Sequence, residues 1–120
     1  MKVFKGITYA RYSRFAEAVE EEFIPGVSEL CNEGCFCPQS ESRLSSLMSS
    51  GSHKMNIEEG RLCLSVYIPE GDHKKLPVMV WIHGGAYLTG GSEDPRYTAD
   101  RLVETGQLIV VRISYRLGAL

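Results

Sequence analysis

No apolar run in these 120 residues approaches the ~20 that a membrane-crossing helix needs, so no membrane partner is expected. A basic excess is missing too: 13 Lys and Arg stand against 15 Asp and Glu, the net charge is -2, and no stripe of cations interleaves with aromatics. Nucleic acid is therefore not an expected partner. Neither G-x-x-x-x-G-K-[ST] nor G-x-G-x-x-G occurs, which removes the two glycine signatures of a phosphate cradle. The opening MKVFKGITYARYSRF carries charges throughout and lacks the apolar centre of a secretory signal, so a cytoplasmic location is expected. Cys31, Cys35, Cys37 and Cys63 lack the paired C-x-x-C spacing of structural zinc, even with His53 downstream. Reduced thiols are the expectation, with a thiol metal site at Cys31, Cys35 and Cys37 as the rival reading.

What is present is an ordinary globular composition, 43% hydrophobic and 23% charged, sized for one domain at most. MKVFKGITYA suits a strand, with Gly6 at a bend or bulge. SRFAEAVEEEF, residues 13–23, predicts a short helical turn stopped before Pro25-Gly26, and the text from Gly26 to about Glu59 is loop-like. After Gly60, Leu62, Leu64, Val66 and Ile68 alternate with Cys63, Ser65 and Tyr67 until Pro69, which predicts a strand with two unlike faces. PEGDHKKLP then suits a return to an adjacent strand. Val78 to Ile82 is apolar at every position and predicts a central strand covered on both faces. Asp94 as helix cap, Pro95 at the first helical position and Gly106 at a left-handed end predict a helix between. LIVVRISY from Leu108 completes a strand-helix-strand unit with a right-handed crossover.

The stretch VMVWIHGGAYLTG carries the chemistry. In open α/β sheets ligands bind beyond the carboxyl ends of the strands, and His83-Gly84-Gly85-Ala86 stands at that position. Glycine permits dihedral angles and close approach that a side chain blocks, so successive N–H groups can converge on one point. Such donors suit an oxyanion that forms when a carbonyl is attacked. Two adjacent glycines taken alone more commonly mark a ligand-free turn.

The surrounding segments decide between these readings. VMVWIHGGAYLTGG followed by LIVVRISYRLGAL resembles the type-B carboxylesterases, the family of carboxylesterases, para-nitrobenzyl esterase and the cholinesterases within the α/β-hydrolase fold. FKGITYA with Arg14-Phe15, Cys37-Pro38-Gln39, EEGRLCLSVYIP and Tyr115-Arg116-Leu117-Gly118 fall in the family's order along nearly the whole chain. The resemblance implies an α/β class: antiparallel strands leading into the strand-helix-strand unit, the N-terminal part of one incomplete hydrolase domain over residues 1–120. It further implies that the amides of Gly85 and Ala86 are oxyanion donors, that His83 and Gly84 shape the loop, and that His83 is not the catalytic base. Arg14, Glu59 and Arg116 are implied to be structural, the first two as an ion pair. Ala86 stands where many relatives have a third glycine; it keeps the amide donor and narrows the room for bulky alcohols.

The departures from the family pattern are informative. The family commonly carries Glu-Asp-Cys ahead of this turn; here Glu59 matches, but Gly60 and Arg61 replace the aspartate and the cysteine. The family's first disulfide thus has no partner for Cys37 at the expected place, and free thiols are expected. Serine on a G-x-S-x-G elbow, an acid and a histidine would have to follow residue 120. Gly90-Gly91-Ser92-Glu93-Asp94 fails the elbow pattern, and His53 and His73 stand in polar connections. The chain alone is expected to be inactive and to need no cofactor. Its expected partners are a carboxylic ester in the complete enzyme and the remaining, C-terminal part of the fold. The alternative is a noncatalytic remnant that serves as a binding module.

Overall fold

The computed structural model describes residues 1–22, 34–40, 56–72 and 75–120. Its frame is one five-stranded sheet: β1 (Lys2–Arg11), β2 (Val19–Glu20), β3 (Arg61–Ile68), β4 (Val78–Ile82) and β5 (Ile109–Ile113), in the order β2-β1-β3-β5-β4. The β2–β1, β1–β3 and β3–β5 pairs are antiparallel, and β4 runs parallel to β5. Antiparallel strands therefore lead into a strand-helix-strand unit, as the resemblance implies. Gly6, at φ 67°, sits in the register shift between Phe4 and Ile7, where β1 bulges against β3.

Alternation along β3 sends its two sets of side chains into separate clusters. Leu62 packs with Ala10, Tyr12, Cys37 and Leu117 on one face. Tyr67 packs with Val110, Ala99 and Val103 on the other, under the short helix α1 (Asp100–Val103). The more deeply buried set is Cys63, Ser65 and Tyr67, while Leu64, Val66 and Ile68 are half-buried. Polarity along β3 follows its neighbours here, because Ser65 bonds the Glu93 carboxylate at 2.7 Å.

Four expectations are corrected. Residues 13–23 form no helical turn over the part that is described: a tight turn at Phe15, with φ 62°, leads into β2, whose pairing with β1 takes the backbone bonds a helix would need. Glu21 N–H likewise donates to the Tyr9 carbonyl at 2.9 Å. The helix begins at Asp100, not after Asp94, because the Asp94 carboxylate accepts from the Arg96 amide and guanidinium and closes a separate turn. Its end matches the pattern: Gly106 has φ 71° and donates to the Val103 carbonyl. The connection after β3 does not return to an adjacent strand, since β5 lies between β3 and β4. Finally, β4 is an edge strand among the described residues and not a central one. Val78, Val80 and Ile82 are 57%, 53% and 64% exposed.

Candidate functional site

The backbone leaves β4 at His83 and turns left-handed three times in succession, at Gly85 (φ 124°), Ala86 (φ 53°) and Tyr87 (φ 59°). Glycine takes this conformation freely, but for Ala86 and Tyr87 it costs on the order of 1–3 kcal/mol each. A Cβ on Gly85 would lie 1.9 Å from the Thr89 carbonyl oxygen, so no side chain fits there. The Gly85 carbonyl accepts from Leu88 and Thr89, at 2.9 and 3.2 Å, and closes the turn on itself. The amides of Gly85 and Ala86 donate to no acceptor among the described residues, and both residues are exposed. Two backbone donors thus stand side by side at the end of a strand, with no acceptor among the described residues.

Strain of this kind persists only where surrounding contacts fix it. Gln39 holds the far end: its Nε2 donates to the Gly90 carbonyl at 2.7 Å, while Gly90 N–H donates to its Oε1 at 2.8 Å. The same Nε2 reaches the Cys37 carbonyl at 3.2 Å. A Cβ on Gly90 would fall 2.6 Å from both the Gly84 oxygen and His83 Nδ1, and one on Gly91 would enter the Phe36 ring. From the opposite side, Gly118 N–H donates to the Tyr87 carbonyl at 2.6 Å. Tyr115 donates its hydroxyl to the His83 carbonyl, stacks on the imidazole at 4.2 Å between ring centres, and meets the Tyr87 ring edge-on at 5.7 Å.

His83 is 3% exposed, and its Nδ1 lies 2.9 Å from the Gly84 carbonyl, the geometry of an Nδ1–H donor. Burial pulls its pKa below the usual histidine value, against the opposing effects of the Gly84 carbonyl and the Asp94 charge. The ring is therefore neutral at neutral pH and occupied with backbone. Ser92 is also buried, sharing a hydrogen bond with Ser114 at 2.8 Å, which fits a packed loop residue and not a nucleophile.

Of the other sequence-predicted residues, Arg14 donates from Nε and Nη2 to the two Glu59 carboxylate oxygens at 2.6 Å each. Arg116 donates to the Ala16 carbonyl at 2.6 Å and lies over the Tyr12 ring. All three stand apart from Gly85 and Ala86 in the contacts they make. His53, His73 and Cys31 lie outside the described residues. Among the described residues, no group of three His, Cys, Asp or Glu could hold a metal ion, and no helix is long and apolar enough to cross a membrane. Cys35, Cys37 and Cys63 are free and buried. A cavity of about 250 Å³ lies between Trp81, Tyr97, Leu102 and Arg112, and neither Gly85 nor Ala86 lines it.

Sequence reading assigned no role to Gln39, Thr89, Gly90 or Tyr115. Gln39 and Tyr115 did stand inside the segments that carried the resemblance, and that was the available signal. The partners lie 51 and 32 positions away along the chain, a distance that local pattern does not cross.

Comparison with known proteins bears on what such a loop serves. The carboxylesterase family model matches residues 1–120. A probable N-octanoylanthranilate hydrolase of Rhodococcus erythropolis is 38% identical over 122 residues, covering 98% of this chain and 26% of the relative. The para-nitrobenzyl esterase of Bacillus subtilis (strain 168) is 37% identical over 119 residues, covering 96% of this chain and 24% of that enzyme. Among solved structures, a PNB esterase of the α/β-hydrolase fold is similar with a TM-score of 0.79 and 37% identity, over 97% of this chain and 24% of its own. The chain thus spans about a quarter of the length of the relatives it matches.

Proposed function

From the premise that this chain belongs to the carboxylesterase family, we propose that it supplies the oxyanion-binding part of a serine carboxylic-ester hydrolase. The observation that carries this is the pair of unpartnered amides at Gly85 and Ala86, held in a left-handed turn that closes on Thr89 and is tied down at Gly90 and Tyr87. Preorganised donors of this kind stabilise charge that appears only in the transition state, and one donor is worth ~10²–10³ in rate. In the complete protein the acyl group of a carboxylic ester would pass to serine and then to water. The two N–H groups would hold the carbonyl oxygen of both tetrahedral intermediates. In this reading the serine, acid and histidine lie in the part of the relatives' length that this chain does not span, and the 120-residue chain alone should turn over no ester. No metal or organic cofactor takes part in this scheme.

The test is a chimera in which residues 1–120 replace the matching quarter of the Bacillus subtilis para-nitrobenzyl esterase. A folded chimera that hydrolyses p-nitrophenyl acetate, and is silenced by an organophosphate, supports the reading. A folded chimera whose serine is trapped by the organophosphate yet turns over no ester would instead favour a noncatalytic binding module, for which the exposed β4 is the supporting observation.

A further inference from the structure

The proposed ester chemistry uses none of the thiols, yet two of them stand at one backbone junction. Cys35 and Cys63 are 0% and 1% exposed. Ser114 brings their backbones together: its N–H donates to the Cys63 carbonyl and its hydroxyl to the Cys35 carbonyl, each at 2.8 Å. Cys35 Sγ lies 3.9 Å from the Arg61 carbonyl, two residues along β3 from Cys63. Each of the two thiols is the largest single influence on the other's ionisation. Cys37 differs in its packing, with its side chain in the apolar cluster of Ala10, Tyr12, Leu62 and Leu117.

We propose that Cys35 and Cys63 form an oxidisable dithiol whose disulfide staples the segment 34–40 to β3. Cys63 is the sulfur that ionises first. The influence of Cys35 lowers its pKa, the Arg61 charge lowers it further, and the Cys35 thiol is raised correspondingly. With a small disulfide such as oxidised glutathione, the Cys63 thiolate attacks one sulfur and expels the first glutathione thiolate. Cys35 then loses its proton and attacks the Cys63 sulfur of the mixed disulfide, expelling the second. Two electrons pass from the cysteines to the oxidant, and two glutathione thiols result. Because both sulfurs are buried, the oxidant reaches them during folding or through local opening, not on the closed fold. The staple would lie four residues before Gln39, the residue that holds Gly90, and so would stiffen the support of the loop.

The experiment refolds the 120-residue chain in a mixture of reduced and oxidised glutathione, blocks free thiols by alkylation and maps the linked peptides by mass spectrometry. The expected product joins Cys63 to Cys35, assigned by fragmentation between Cys35 and Cys37, and melts about 5 °C or more above the reduced chain. Cys37→Ser and Cys31→Ser should keep the link, and Cys35→Ser should abolish it. If Cys35→Ser fails to fold, fragmentation of the unsubstituted chain still identifies the partner. Four alkylated cysteines in the refolded chain, or Cys63 linked to Cys37 or Cys31, would overturn the proposal.

Discussion

Strand β4 and the loop it delivers are consecutive in sequence and opposite in their settings. Val78, Val80 and Ile82 have β5 as their only strand neighbour among the described residues and are each more than half exposed. The loop from His83 to Gly91 is itself exposed at its turn, yet it is held by Gln39, Tyr115 and Gly118. None of these holding residues belongs to β4. The lesson is that the loop takes its shape from the neighbouring segments of this chain, while the strand beneath it stays exposed among the described residues. Preorganisation of the donors and completion of the sheet are separable, and each can be attacked without the other.

The largest effect should come from destroying the turn. Gly85→Ala places a Cβ where 1.9 Å separates it from the Thr89 oxygen, so the turn must open and misplace both amides. In the active chimera kcat/KM for p-nitrophenyl acetate should fall by at least ~100-fold, with the far-ultraviolet circular dichroism of the sheet unchanged. Retention of most of the activity would mean that these amides are not the donors.

Gln39→Ala removes support without touching the turn. Three hydrogen bonds are lost, to Gly90 twice and to Cys37 once, which should destabilise by about 1–3 kcal/mol and slow the chimera by roughly 10-fold or more. Amide exchange at Gly90 should rise sharply, whereas that of β4 residues bonded to β5 should not. If exchange rises equally in both places, loop and strand form one cooperative unit and are not separable.

The strand can be altered in the opposite sense. Lysine at position 80 or 82 puts charge on an exposed edge, the means by which natural sheets discourage edge-to-edge association. Val80→Lys and Ile82→Lys should each reduce self-association of the 120-residue chain in sedimentation velocity, while its stability changes by less than about 0.5 kcal/mol. A chain that is already monomeric before substitution would show that the edge is not sticky.

These contrasts also explain what the sequence made legible. β1, β3 and β5 were readable because alternation and β-branched residues act locally, and Gly6 and Gly106 signalled a bulge and a cap that need positive φ. The loop was readable from its glycines together with the resemblance. The edge position of β4 was not, because VMVWI encodes burial that these residues do not themselves provide. Asp94-Pro95 misled since an Asp cap and an Asp side-chain turn look alike until Arg96 supplies the competing partner. Gln39 was hidden by distance: its motif is local, but its acceptor is Gly90.

The smallest expected effect concerns the ion pair just before β3. Arg14 and Glu59 are well aligned but solvent-exposed, so their contribution is modest and salt-sensitive. Two bonds from Arg14, and then its charge, hold the Glu59 carboxyl below its usual range. As pH falls, the unfolded chain therefore binds this proton before the folded one does. The stabilisation is complete above the ordinary glutamate value of about 4.3 and is lost as pH drops through the lowered folded value. Glu59→Gln should lower the thermal midpoint at neutral pH by no more than about 2 °C and flatten this acid dependence. In about 1 M salt, where the screening length is about 3 Å, the parent and the variant should melt together. A difference that survives both acid and salt would show that Glu59 acts through packing at the start of β3, and it would then belong with Gln39 among the supports of the fold.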